Sequence, residues 1–290
     1  MKLDYISARG ERLPLVGNNL FELTNVDGQT MAATSIASSP ISGMDVNVVN
    51  NVQTNPRSIV LDLRIKSDVD VEIAKRSILR IIKAKQRGTL EWTQNGKTVV
   101  ISGIVESVEM PRWNNAVTMQ VTLYCEQPYW EDADFIVQQI SEAIDLHYFT
   151  DGATDMLFFE EEGIALGEYD TTRTKTIYNN GDAAVGLDIT IVALDKVTNP
   201  IIYDGNGNFF GVGGFSNKTV TLNRGDYITI STHRGKKSVW VNGALYLLQY
   251  VKPRSTWLQL NTGENTFTIN SDDNSVTNMQ FTLSFKQHYI

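Results

Sequence analysis

Three histidines, His147, His233 and His288, make up the whole imidazole complement of the chain, and they stand far apart. General-base or metal-dependent hydrolysis draws on His-Glu-x-x-His or other paired spacings, and neither occurs. Nor does the sequence contain a Gly-x-Ser-x-Gly nucleophile elbow or a phosphate-cradling Gly-x-x-x-x-Gly-Lys-Ser/Thr. The single cysteine, Cys125, excludes an internal disulfide framework and a thiolate zinc site. Glu160, Glu161 and Glu162 are adjacent acids, but no Asp or His follows at ligand spacing, so a solvated linker is the expectation. Asp204-Gly205-Asn206-Gly207-Asn208 begins like a calcium loop. It then places Phe209 where the bend needs glycine and Phe215 where a bidentate glutamate should close the site, so it reads as a hairpin turn. Gly211-Val212-Gly213-Gly214 precedes no helix and is no dinucleotide loop. Carboxylate pairs for glycoside hydrolysis are defined by separations in space that spacing along a chain does not give. The expectation is therefore no catalytic residue, no cofactor and no metal: not an enzyme.

The elements that would position any site follow from composition and periodicity. A chain of 290 residues with 42% hydrophobic content suggests two domains at ~150 residues each. No apolar run reaches membrane length, so a soluble chain without membrane insertion is expected. Met1-Lys2-Leu3-Asp4-Tyr5 lacks a secretory signal core, so synthesis and folding in the cytoplasm are expected. A net charge of −8 argues against nucleic-acid binding.

Residues 117–130 organise the first half. Val117, Met119, Val121, Leu123 and Cys125 alternate with polar partners, the period of a strand with one buried face. Cys125 points inward as a small core residue. The strand ends at Pro128, and Tyr129 and Trp130 follow as an apolar payload before Glu131 and Asp132. Pro128, Tyr129 and Trp130 are expected to pack at the domain junction as a plug. Upstream, residues 20–30 read as a strand entering an Asp27-Gly28 turn, and residues 34–55 as a long excursion with an irregular strand near 46–52. Ile59, Leu61, Leu63 and Ile65 alternate as a strand. A helix follows, with Asp68, Asp70 and Glu72 at its start, Val71, Ala74, Ile78, Ile81 and Ile82 inward, and Lys83, Lys85 and Arg87 before a Gly88 stop. Asn95-Gly96 between β-rich runs marks a hairpin, and residues 110–115 turn back toward Val117. This order predicts an α+β domain over 1–130: an antiparallel sheet with one helix.

Residues 134–148 carry apolar positions compatible with a helix, within a connector spanning 131–170 and containing a docking segment at Leu157-Phe158-Phe159. From 171 to 290 the chain is all β. Short alternating runs are punctuated by turns at Asn180-Gly181, Asn206-Gly207, Asn242-Gly243 and Thr262-Gly263, the pattern of a β-sandwich.

A strand closing on Cys125-Glu126-Gln127-Pro128-Tyr129-Trp130 resembles the end of the first domain of siphophage distal tail proteins. Three later segments resemble that family's galectin-like second domain in order. They are Tyr178-Asn179-Asn180-Gly181, then Gly225–Thr232 with Val239-Trp240-Val241-Asn242-Gly243, then Leu260–Phe267. One departure is Gly43-Met44-Asp45-Val46, where family members often have Gly-x-Asp-Gly. The resemblance implies a structural protein of the virion tail tip, assembled in the host cytoplasm. It implies a homohexameric ring formed by residues 1–130, joining the tail tube protein to the tip hub, with receptor-binding proteins among the possible neighbours. The rival reading is a carbohydrate-binding sandwich that attaches to cell surfaces, with Trp240, Trp257 and Trp113 as stacking platforms.

Overall fold

The computed structural model describes residues 2–110, 117–139, 143–145, 167–169, 174–273 and 278–290. The chain divides into two compact units, Met1–Asp134 with His288–Ile290, and Phe135–Gln287. No helix among the described residues is long and apolar enough to cross a membrane.

The first unit holds β1 (Lys2–Ser7), β2 (Arg12–Pro14), β3 (Phe21–Asp27), β4 (Thr34–Pro40), β5 (Asn47–Thr54), β6 (Arg57–Ile65), α1 (Val71–Ile81), β7 (Arg87–Gln94), β8 (Lys97–Glu109), β9 (Thr118–Cys125) and β10 (Trp130–Asp132). Its main sheet runs β2-β1-β7-β8-β9-β6-β3, all antiparallel. Alternation sets the buried face: Met119, Val121, Leu123 and Cys125 of β9 lie beside Ile59, Leu61 and Leu63 of β6. Ile78 from α1 and Ile82, its C-cap, join the same core.

α1 begins where the sequence places it. Asp70 is the N-cap, its carboxylate accepting from the backbone N–H groups of Glu72 and Ile73. The stop is different. The helix ends at Ile81, and Lys85, with φ of 68°, turns the chain into β7. Gly88 lies inside β7, opposite Ser7, and a Cβ there would stand 2.2 Å from the hydroxyl of buried Tyr5. That glycine is explained by a tyrosine ring laid across the strand, not by a helix end. At the β7–β8 turn Asn95 and Gly96 both take positive φ, as an Asn-Gly hairpin requires. The turn expected at 110–115 falls, from 111 on, outside the described residues.

The excursion expected at 34–55 is regular. β4 and β5 pair antiparallel from Thr34↔Thr54 to Pro40↔Asn47, with a register shift between Ala37 and Ser38. Gly43 takes φ of 82° and Val46 needs no positive φ, so the turn closes with one glycine. Polar, Ser/Asn-rich strands masked the alternation that would have announced a hairpin.

The helix expected over 134–148 is not what forms there. Ile136–Gln139 is a strand paired with Met279–Phe285, and Ala143–Asp145 pairs with Gly167–Tyr169. Ile136 and Val137 are β-branched, and the edge of a sheet offers them ladder bonds that outweigh a weak helical period. The docking segment at 157–159, the acids at 160–162 and His147 lie outside the described residues.

In the second unit a six-stranded sheet runs Ile136–Gln139, Met279–Phe285, Asp188–Ala193, Tyr227–Ser231, Ser238–Val241, Leu245–Tyr246. A four-stranded sheet runs Thr174–Asn179, Gly263–Asn270, Ile201–Asp204, Phe209–Gly211. Ile189, Ile191, Phe281 and Leu283 of the first and Ile177, Phe267, Ile269 and Phe210 of the second share one core.

Candidate assembly surface

The hairpin β4–β5 carries seven residues that ordinary surfaces avoid in such density: Ile36, Ile41, Met44, Val46, Val48, Val49 and Val52, all exposed. Every residue of β4 is exposed, and in β5 only Thr54 is partly covered. A lone two-stranded hairpin is at best marginal in water, and contiguous exposed apolar side chains mark a surface that is covered in use. We call this element the arm.

The root of the arm is better held than its length. Asn55 N–H donates to Ala33 O, and Ser35 Oγ donates to Asn55 Oδ1 at 2.9 Å. Arg57, just past the root, is 5% exposed, and its Nη1 donates to Gln29 O at 3.2 Å. Its Nε and Nη2 find no acceptor among the described residues. Burial lowers the Arg57 pKa from its ordinary value. Cys125, also buried near this guanidinium, has its thiol pushed up to about 11, chiefly by loss of water.

The three residues expected at the domain junction sit at this root, inside the first unit. Trp130 is 4% exposed, packs edge-on against Trp92 with centroids 5.7 Å apart, and donates Nε1–H to Gln29 O. Tyr129 donates to Thr54 Oγ1 at 3.4 Å and stacks on His288 at 5.4 Å. Pro128 is partly exposed between Gln127 and Tyr129. Residue reasoning found these aromatics from their bulk at a strand exit. It missed that they brace the base of the arm, because nothing in the sequence pairs Gln29 or Thr54 with residues so far along the chain.

The sugar-stacking candidates are not brought together. Trp240 is 38% exposed on the six-stranded sheet, its ring 4.8 Å from that of Tyr246. Trp257 packs against the core, 4.9 Å from Phe210, with Lys237 Nζ 5.5 Å above it. Trp113 lies outside the described residues. His233 lies 3.3 Å from Asp188 in the second unit, while His288 is buried in the first, 3.4 Å from Glu131. Among the described residues no group of three or more His, Cys, Asp or Glu could hold a metal ion. Asp204 braces a hairpin turn, its Oδ1 accepting from the N–H groups of Asn206 and Asn208.

Residues 180–289 match the family model of the siphovirus-type tail component, C-terminal domain. All but the last two of the matched residues lie in the second unit. The fold of the whole chain is similar to that of the Dit protein (gp 19.1) of phage SPP1, described as a paradigm of hub adsorption apparatus in Gram-positive infecting phages. That match has a TM-score of 0.67 at 13% identity and covers 99% of each chain. A chain of the phage p2 baseplate, in its activated conformation with Sr, matches at a TM-score of 0.50 and 12% identity, covering 100% of this chain and 99% of that one. No curated protein matches the sequence. The resemblance to siphophage distal tail proteins, carried in the sequence by short motifs, thus extends to the fold of the full chain.

Proposed function

We propose that the protein is a non-catalytic structural subunit of a siphophage tail tip that assembles into a homohexameric ring through its first unit. In this reading the ring joins the tail tube protein to the tip hub, and the second unit is a galectin-like sandwich. The observation that carries the ring is the arm. Closure of a ring needs two different patches on each subunit, and an exposed apolar hairpin on one copy, laid against another part of the next, supplies one of them. Sixfold closure is taken from the family resemblance.

The test is light scattering on the full chain over a concentration series. The expected mass is six times the 32.4 kDa of one chain. Ile36→Asp combined with Val52→Asp should abolish assembly. Both side chains are exposed, at 64% and 60%, so each subunit should keep its fold, read as an unchanged near-ultraviolet signal. A chain that stays monomeric at every concentration would defeat the ring, and a ring that survives both substitutions would move its interface off the arm.

One observation favours a second reading, a carbohydrate-binding sandwich: the exposed ring pair Trp240 and Tyr246. Under that reading the chain is a monomer whose saccharide binding is lost in Trp240→Ala.

A further inference from the structure

A cleft of about 250 Å³ opens at one end of the four-stranded sheet in the second unit. Its walls are Asp204, Gly205, Asn206, Gln259, Asn261, Glu264, Asn265 and Thr266, with no apolar side chain among them. Two of these residues spend their polar atoms on bracing the walls. The Asp204 carboxylate accepts from both N–H groups of the hairpin turn and from Asn208 Nδ2. Asn265 accepts from Asn261 N–H and donates to the carbonyls of Asn261 and Gly263. Four others keep their functional groups unused: among the described residues, the amides of Asn206, Gln259 and Asn261 and the carboxylate of Glu264 make no hydrogen bond. Beside Glu264, directly across the strand pair, stands Tyr178, 59% exposed.

From this cleft we propose a binding site for a neutral saccharide, presented as a single sugar ring or a chain end. The lining decides the class by exclusion and by fit. Two carboxylates and no basic residue repel phosphates and carboxylates. One of those carboxylates is already committed to the turn, which leaves too few oxygens in place for a dehydrated cation. An apolar ligand would find nothing to bury against. Adjacent hydroxyls on a pyranose both donate and accept, and amides with a carboxylate offer both partners on rigid walls. The volume lies just under the ~300 Å³ at which ordinary ligand pockets begin, which suits one ring. Tyr178 supplies an aromatic face one strand away. This site is separate from the Trp240–Tyr246 pair, and the proposal does not rest on ring assembly.

The experiment is saturation-transfer NMR on the full chain with glucose, galactose, N-acetylglucosamine and rhamnose, each titrated to millimolar concentration. At least one should bind saturably, and Glu264→Gln and Asn261→Ala should each weaken it about tenfold. Both side chains make no bond within the described fold, so the melting temperature of each variant should match the parent's. Trp240→Ala should leave binding intact, as should a chelator. No saturable binding by any of the four sugars overturns the proposal. Binding that ignores Glu264→Gln and Asn261→Ala, that vanishes in Trp240→Ala, or that needs a divalent cation overturns it as well.

Discussion

Trp130 illustrates what one side chain contributes. Its indole fills the core beside Trp92 and ties the backbone at Gln29 through one hydrogen bond. Trp130→Ala removes the ring, leaves a cavity and takes one of two donors from the Gln29 carbonyl, which Arg57 still answers, so a loss of about 3–5 kcal/mol is expected in chemical denaturation. Trp130→Phe should recover most of the packing but not the bond. Cys125 is quieter at neutral pH and informative above it. Its folded-state pKa is raised to about 11 from 9.0, so the folded chain holds the thiol proton after the unfolded chain has released it. The stability tied to that proton is therefore complete below pH 9 and lost as pH rises through about 11. Melting curves of the parent should fall faster across that window than those of Cys125→Ala. Equal slopes would mean the thiol is not shielded.

At the scale of elements, what could be read in advance was whatever depends on neighbours in sequence. The alternation in 117–125 and 59–65, the Asp70 cap and the Asn95-Gly96 turn all fix local geometry, and all are present. The arm was half legible: its Gly43 turn and length were visible, but its exposed valines carry no periodic contrast because neither face is buried. The strand at Ile136–Gln139 was misread because its partner, Met279–Phe285, lies at the far end of the chain. Gly88 was misread for the same reason, since only the fold brings Tyr5 across it. The cleft is the extreme case. Asp204, Gln259 and Glu264 belong to separate segments and become a set only when the four-stranded sheet and its turns form. Turn grammar accounts for each of them singly, which is why no motif search singles them out.

At the scale of the molecule, the last residues matter more than their number suggests. His288–Tyr289 pairs antiparallel with β10, with Glu131 opposite His288, so the final strand completes the first unit after the second has been traversed. In wiring terms, residues 135–287 are a cassette spliced into a host whose returning strand pairs with β10, His288 opposite Glu131, three residues before the cut after Asp134. A host built this way should tolerate exchange of its cargo for anything whose own ends lie close together. The simplest cargo is a tight glycine-containing turn joining Asp134 to His288. That shortened chain should fold cooperatively with the near-ultraviolet signature of buried Trp92 and Trp130. A chain that merely stops at Asp134, lacking the returning strand and the ring of His288 against Tyr129, should melt at a lower temperature than the rejoined one. Recombination at two sites, both within the first unit's own fold, would thus exchange residues 135–287 and leave the host half the same.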